Sequence, residues 1–413
     1  MFRSLAVRNF RLFFSGQLVS AIGNWLTTIA AVLFVLHLTD NGLAIGLLTA
    51  CQFGPLLVFG LWAGAVVDRL DKRRLLLGTQ VIAAAQSAAY AVLAFTGDPP
   101  LGAIYAVALV GGFVVAIDST ARRAFVVELV DEDLVANAVS LNSAMMTSSR
   151  VFGPVIAGLL IATVGYGWCF TLDAMSYVAP IVALALMRTS EIRRAPVVAR
   201  AKGQIRDAFR YVGTAPQMWL PLVMTAVIGT FTLNFQVVMP LLVTRTFSSS
   251  DSVFTLIFSV LSVGSVLGAL WMARHTTLRL AQTVSTALLL GVATVMLALA
   301  PDLALAFPIA LFMGLGMTAF ITSSTANLQL SADAAMRGRV LALQSVVLIG
   351  STPIGGPLIG FVSDQWGARA GLMVGGVACL AAAVFGFWVT RRRPAPTSIE
   401  IGLDAESPES SAA

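Results

Sequence analysis

Residues 64–74 read Gly-Ala-Val-Val-Asp-Arg-Leu-Asp-Lys-Arg-Arg, and they lie between two long apolar segments. Four of the last six side chains are cationic. Cations clustered between two segments long enough to cross a bilayer stay on the cytoplasmic side of the membrane. The stretch therefore predicts a cytoplasmic loop between two transmembrane helices.

The composition of the whole chain agrees with this prediction. Of its 413 residues, 58% are hydrophobic and only 11% are charged, whereas a soluble domain averages about 25% charged residues. The net charge of +6 does not indicate nucleic-acid binding, because the cations fall in the loops between apolar segments. Cys51, Cys169 and Cys379 lie far apart inside apolar segments, so we expect neither a metal site nor disulfides.

A transmembrane helix needs roughly 20 apolar residues at about 1.5 Å each. This criterion predicts an all-α polytopic membrane protein with twelve transmembrane helices. The predicted spans are residues 12–37, 43–67, 74–96, 101–121, 137–164, 167–188, 218–243, 252–273, 279–300, 303–326, 339–362 and 370–390.

The distribution of Lys and Arg gives the expected orientation. With the N-terminus in the cytoplasm, all but three of the 26 Lys and Arg residues lie in cytoplasmic segments. The exceptions are Arg245 and Arg369 outside and Arg150 inside span 5. Twelve spans with both termini cytoplasmic therefore satisfy the positive-inside rule, and we expect the inner membrane as the location.

The chain divides into four predicted regions: a six-helix half at 1–188, a linker at 189–217, a second six-helix half at 218–392 and a tail at 393–413. Within the basic linker, Ile205, Phe209 and Val212 have the spacing of an amphipathic helix. We expect it to lie on anionic lipids of the inner leaflet. The tail is rich in Pro, Ser and Glu, which predicts disorder.

Short motifs recur about half a chain length apart. Gly153-Pro154 in span 5 is repeated as Gly356-Pro357 in span 11, and Ser-Thr-Ala occurs at 119–121 and again at 324–326. Each short match could arise by chance in Gly- and Ser-rich sequence. Their shared spacing predicts two duplicated halves with a substrate site between them near the midplane.

Residues 64–74 resemble the loop 2–3 signature of the major facilitator superfamily. Gly64, Asp68, Arg69 and Arg73 match the signature, while Asp71 stands in place of a glycine. Further segments are similar to the branch of the enterobactin exporter, the transmembrane secretion effectors. These segments are Asn9-Phe10-Arg11 with Gly16-Gln17, Ala121 to Ala124, Leu172 to Tyr177 and Arg337 to Val340.

The resemblance implies secondary active export of a lipophilic small molecule, such as a drug-like compound or a siderophore. It also implies rocking of two halves, with protons as the coupling partner. The Gly-Pro pair of span 5 resembles an exporter motif, which makes four residues hinge candidates. They are Gly153, Pro154, Gly356 and Pro357.

The charged loop is also a candidate conformational latch. Asp68 can pair with Arg69, Lys72 or a helix N-terminus, and Gly64 allows a neighbouring helix to approach. We expect the latch to close the cytoplasmic side of one state by bridging the halves. Its members are Gly64, Asp68, Arg69, Lys72, Arg73, Asp118 and Arg122. The alternative is a basic loop that only sets topology.

Polar side chains form stripes on several spans, which indicates a hydrated or protein-packed face. In the family that the chain resembles, spans 1, 4, 7 and 10 line the central cavity. The candidate cavity residues are Gln17, Asn24, Arg150, Asn234, Gln236 and Thr322. The alternative for the uncharged ones is hydrogen bonding that holds helices together.

Three charged side chains inside spans carry open alternatives. Arg150 either contacts the substrate or a gating partner, or it makes a structural hydrogen bond to a neighbouring helix. Asp118 pairs with Arg122 at i+4 or carries a proton. Asp173 makes a structural hydrogen bond or takes part in proton coupling.

Other classes of function have no support in the sequence. There is no phosphate-binding Gly-Lys-Ser/Thr loop, so ATP does not drive the protein directly. No nucleophile–base set is readable, so we expect neither an enzyme nor a cofactor. The remaining alternatives to the exporter are a gradient-independent facilitator or importer of the same fold, and a non-transporting scaffold. We expect a monomer.

Overall fold

The computed structural model describes residues 3–193, 209–274 and 280–391, apart from the side chains of 61–65, 68, 334 and 335. The side chains of Gly64 and Asp68, the first part of the predicted linker helix with Ile205, and the tail at 393–413 therefore lie outside the described residues. In the described part, Val212 is buried and Phe209 is exposed.

The described chain is helical almost throughout, which confirms the all-α prediction. Its helices are α1 (Arg8–Thr39), α2 (Gly42–Arg69), α3 (Lys72–Phe95), α4 (Leu101–Glu128), α5 (Glu132–Val164), α6 (Tyr166–Ser176), α7 (Val178–Ala185), α8 (Pro216–Phe231), α9 (Phe235–Leu241), α10 (Asp251–Ala273), α11 (Leu280–Leu299), α12 (Leu303–Ser331), α13 (Ala334–Gly350), α14 (Thr352–Trp366) and α15 (Ala368–Arg391).

Twelve segments of the described chain are long and apolar enough to cross a membrane, as predicted. Three of them are each built from two helices: α6 with α7, α8 with α9, and α13 with α14. A turn of π-helix at Leu242–Thr246 follows α9. The break between α8 and α9 at residues 232–234 contributes to the wall of a cavity, as described below.

Several helices begin where side chains satisfy their first free N–H groups. Asn41 accepts from the N–H of Ala44, and Asp71 accepts from the N–H of Arg74. Such caps contribute about 1 kcal/mol each. The Asp71 cap begins α3 directly after α2 ends at Arg69, so the charged loop is a two-residue turn.

The bundle has two ends, which we name by their residues. The basic end holds the start of α1 and the α2–α3 turn; the opposite end holds the α1–α2 turn. The first half (α1 to α7) meets the second half (α8 to α15) where α2 packs on α14 and α5 packs on α10.

The contact between α2 and α14 is close because glycines face each other. A Cβ built on Gly46 would lie 2.5 Å from the carbonyl oxygen of Gly356, and one built on Gly360 would lie 2.2 Å from that of Gly42. Small residues of this kind let helix backbones touch. The two halves are therefore in backbone contact near the opposite end.

Candidate functional site: two cavities and a closed end

A cavity of about 700 Å³ lies in the first half. It extends from the middle of the bundle towards the basic end, because its lining residues occupy the last half of α4 and the first half of α5. Its wall mixes amides and hydroxyls with aromatic and aliphatic groups, among them Asn24, Trp25, Gln86, Asn142 and Met146. Every lining residue belongs to the first half, although the expected cavity lay between the halves.

Asp118 and Arg122 form part of this wall. The predicted i, i+4 ion pair between them is present. The Asp118 carboxylate also accepts from the Thr79 hydroxyl at 2.9 Å and from the Gln80 amide at 2.7 Å. These bonds join α3 to α4 beside the cavity.

Asp173 lies outside this wall and is fully buried. One of its oxygens accepts from Thr27 and from Ser87, both at 2.6 Å, and the other accepts from Ser176 at 3.3 Å. A Cβ on Gly23 would lie 2.5 Å from Asp173 Oδ1. The carboxylate thus joins α1, α3 and α6, which is the structural alternative stated above.

The predicted latch residues bind within the first half in this structure. Lys72 pairs with Glu128 at 2.6 Å, and Arg73 donates to the carbonyls of Leu184 and Ala185 at the end of α7. A cation at a helix C-terminus is favourable because it meets free carbonyls. Arg69 is exposed. The bridge between the halves that we expected from these described side chains is not formed in this conformation.

The opposite end is held by a cluster that joins the halves, here called the Arg245 clasp: Asp40, Arg245 and Asp364. Arg245 pairs with Asp40 and with Asp364, each at 2.9 Å. The Asp364 carboxylate also accepts from the N–H groups of Gly42 and Leu43, each at 2.7 Å. A carboxylate from the second half therefore caps the N-terminus of a first-half helix.

A second contact supports the same closure. The Tyr166 hydroxyl donates to Asp251 at 2.6 Å and joins α6 to α10. Sequence reasoning missed the clasp and this bond. The available signal was Arg245 itself, since it is one of few cations predicted outside, but its partners are distant in sequence.

A smaller cavity of about 140 Å³ lies between the halves. Its wall comes from α2, α5, the α8–α9 break, α10, α12 and α14, and it includes Arg150, Asn234 and Gln236. Asn234 lies in the break and Gln236 in the first turn of α9, and both line this cavity. Discontinuous membrane helices of this kind commonly form ligand sites.

The six predicted cavity residues therefore have different positions. Asn24 lines the large cavity, and Arg150, Asn234 and Gln236 line the small one. Gln17 is fully buried, and neither of its amide atoms has a hydrogen-bond partner within the described residues. Thr322 is partly buried and lines neither of these two cavities.

The hinge candidates lie at helix crossings. Gly153 faces Trp25 of α1, where a Cβ would meet the Trp25 Cβ at 2.3 Å. Pro154 lies inside the continuous helix α5. Gly356 and Pro357 lie against α2. These residues set close contacts, and their role as hinges stays a prediction.

The profile of one family, described as transmembrane secretion effector, matches residues 1–400. The chain belongs to this family of the major facilitator superfamily. It is a multi-pass transporter of the cell membrane and not an enzyme.

Curated relatives of the chain include an efflux pump, an exporter and a transporter. It is 27% identical to the multidrug efflux pump Tap of Mycolicibacterium fortuitum over 91% of this chain and 94% of that one. It is 24% identical to the enterobactin exporter EntS of Escherichia coli over 92% and 89%. It is 25% identical to the staphyloferrin A transporter of Staphylococcus aureus over 63% of this chain, which spans 66% of that relative.

Solved structures give the same fold. An inward-facing, unoccupied bacterial homologue of the human lysosomal transporter Spinster superposes with a TM-score of 0.75 at 16% identity, covering 94% of this chain and 97% of that one. The nucleoside transporter NupG superposes with a TM-score of 0.71 at 14% identity, over 93% and 98%. At these identities the likeness shows the fold alone.

Proposed function

We propose that this transporter exports a lipophilic small molecule by alternating access, with proton antiport as the driving reaction. One observation carries the proposal: the large cavity reaches the basic end, while the halves touch at the opposite end. The positive-inside rule assigns the basic end, with both termini, to the cytoplasm. The conformation is then inward-open and takes up its substrate from the cytoplasmic side.

The wall of the large cavity suits such a substrate. Trp25 and Met146 offer aromatic and polarisable surface, and Asn24, Gln86 and Asn142 offer hydrogen bonds. The efflux pump and the siderophore exporter among the relatives support the same direction of transport.

Asp118 is the better placed of the two proton candidates. It borders the large cavity, so water and protons have a path to it, and its ion pair with Arg122 can exchange with a proton. Asp173 is fully buried and holds three helices together. We assign the proton to Asp118 and a structural role to Asp173.

The charged loop closes the cytoplasmic side in the outward-open state under this proposal. Lys72 and Arg73 would leave their first-half partners, Glu128 and the carbonyls at the end of α7, and with Asp68 they would bind the second half. Gly64 and Arg69, in the last part of α2, belong to the same proposed latch. Anionic lipids of the inner leaflet bind the basic linker.

Flux into proteoliposomes tests the proposal. We expect a pH gradient to accelerate substrate flux in wild type, and Asp118→Asn to remove this acceleration while leaving exchange without a gradient intact. Asp173→Asn serves as the control because it keeps an acceptor oxygen at a site away from the cavity, and it should stay gradient-dependent. A wild-type flux that does not depend on the pH gradient would contradict the antiport proposal and favour a facilitator.

A further inference from the structure

Arg150 lies about midway along α5, and within the described residues its guanidinium has no acidic partner. Its Nε is buried and makes no hydrogen bond there. A guanidinium stays charged in proteins. A lone charge at this depth costs several kcal/mol, so it needs a counter-charge or water.

Arg150 forms part of the wall of the small cavity. Its volume of about 140 Å³ lies between the halves, with Thr49, Gln236 and Thr352 adding polar atoms and Phe53 and Phe258 adding aromatic surface. One water occupies about 30 Å³ in the liquid. The cavity therefore has room for a few waters or for one small acidic group with part of a ring.

Asn234 lines the same cavity, and its side-chain amide has one fixed orientation. Its amide nitrogen donates to the carbonyl of Thr230 at 2.7 Å. A carbonyl only accepts, so the nitrogen must face Thr230 and the orientation of the amide is determined. Asn234 Oδ1 then remains buried without a partner among the described residues. Two residues of the cavity wall thus each hold a buried polar atom without a partner among the described residues, Arg150 at Nε and Asn234 at Oδ1.

The small cavity is next to the large one. Trp25 lines the large cavity and Phe258 lines the small one, and their ring centroids are 6.1 Å apart. The aromatic pair therefore borders both cavities, and Phe258 supplies apolar surface in the same wall as Arg150.

We propose that the small cavity is a subsite for a planar oxyanion, such as a carboxylate, and that the exported substrates are amphipathic organic acids. This inference rests on the proposed export function. The guanidinium fork binds a carboxylate through two parallel hydrogen bonds, which a neutral group cannot match. The subsite has walls from both halves, and an anion bound there neutralises the charge of Arg150.

Direct binding provides the first test, and it does not depend on transport. The purified full chain in nanodiscs is melted with benzoate and with benzamide, which have the same shape and differ in charge. A ligand that binds only the native state raises its melting temperature. We expect benzoate to raise the melting temperature of wild type and benzamide to leave it unchanged.

Three variants localise the effect. Arg150→Gln should weaken benzoate binding at least tenfold, and Arg150→Lys should retain part of it because it keeps the charge without the fork. Arg274→Gln removes an exposed cation at the end of α10, away from both cavities, and should behave as wild type. An equal benzoate response in wild type and Arg150→Gln, or an equal response to benzamide, overturns the proposal.

The melting temperature in chloride distinguishes an organic from an inorganic anion, and a flux measurement then tests transport. A chloride effect as large as that of benzoate, lost in Arg150→Gln, would mean an inorganic anion site and would contradict the substrate assignment.

In proteoliposomes, Arg150→Gln should slow flux of the anionic dye anilinonaphthalene sulfonate at least tenfold more than that of neutral N-phenylnaphthylamine. If wild type moves neither dye, the export proposal fails while the benzoate result stands separately.

Discussion

At the scale of single residues, Asp173 illustrates how a buried carboxylate stabilises a membrane bundle. Its two oxygens accept from hydroxyls on α1, α3 and α6. Hydrogen bonds to a charged group contribute about 1.5–3 kcal/mol each, and a partner left without its bond costs about 1–3 kcal/mol. The buried hydroxyls of Thr27 and Ser87 therefore depend on Asp173 for their acceptor.

We expect Asp173→Ala to lower the free energy of unfolding by about 3 kcal/mol, because two buried hydroxyls lose their acceptor. Asp173→Asn should cost less, since an amide oxygen still accepts. The melting temperature of the purified protein measures both. The matched control is Asp98→Ala in the exposed loop after α3, which should change little. An unchanged melting temperature in Asp173→Ala would contradict the structural role.

At the scale of helices, the crossing of α2 and α14 depends on residues without side chains. Gly46 lies against the backbone of Gly356, where no flexible group can move aside. Gly54 is in the same helix, and a Cβ there meets nothing within 4 Å. Only one of these two glycines is therefore required by packing.

Gly46→Val should force α2 and α14 apart and destabilise the closed opposite end. Gly54→Val is the matched control in the same helix and should be tolerated. Cysteine crosslinking between α2 and α14 reports the separation. Equal crosslinking in the two variants would show that the close contact is not needed for closure.

At the scale of the whole molecule, the Arg245 clasp must open before the halves can rock. Arg245 and Asp364 are 27% and 16% exposed, whereas Asp40 is 77% exposed. Exposed pairs contribute at most about 1 kcal/mol. The stabilisation of the closed end therefore rests mainly on Asp364, which binds Arg245 and the first N–H groups of α2 together.

Arg245→Gln should shift the population towards molecules that are open at this end. Spin labels on Asp98→Cys and Pro301→Cys, in exposed loops of the two halves, should then report longer distances, with the native cysteines replaced. Arg369→Gln is the control, because Arg369 binds the carbonyl of Ala300 within the second half. If both variants give the distances of wild type, the clasp does not hold the closed state.

Part of the candidate site followed from sequence and part did not. The Asp118–Arg122 pair could be predicted because i and i+4 side chains of a helix are neighbours whatever the tertiary structure. Gln17 and Asn24 were both predicted to line the cavity and lie seven residues apart in α1, yet Gln17 is fully buried and Asn24 lines the large cavity. Helix spacing gives the direction of a side chain but not the neighbour it meets.

The sequence by itself determined the fold class and the twelve membrane segments, because hydrocarbon thickness and backbone hydrogen bonding act locally along the chain. It also determined the family, because the match is made along residues 1–400 of the sequence. Only the tertiary structure decided that the large cavity belongs to one half, that Asp364 caps α2, and that Arg150 and Asn234 line one cavity. These arrangements depend on contacts between residues that are far apart in sequence, and on which end of the bundle is closed.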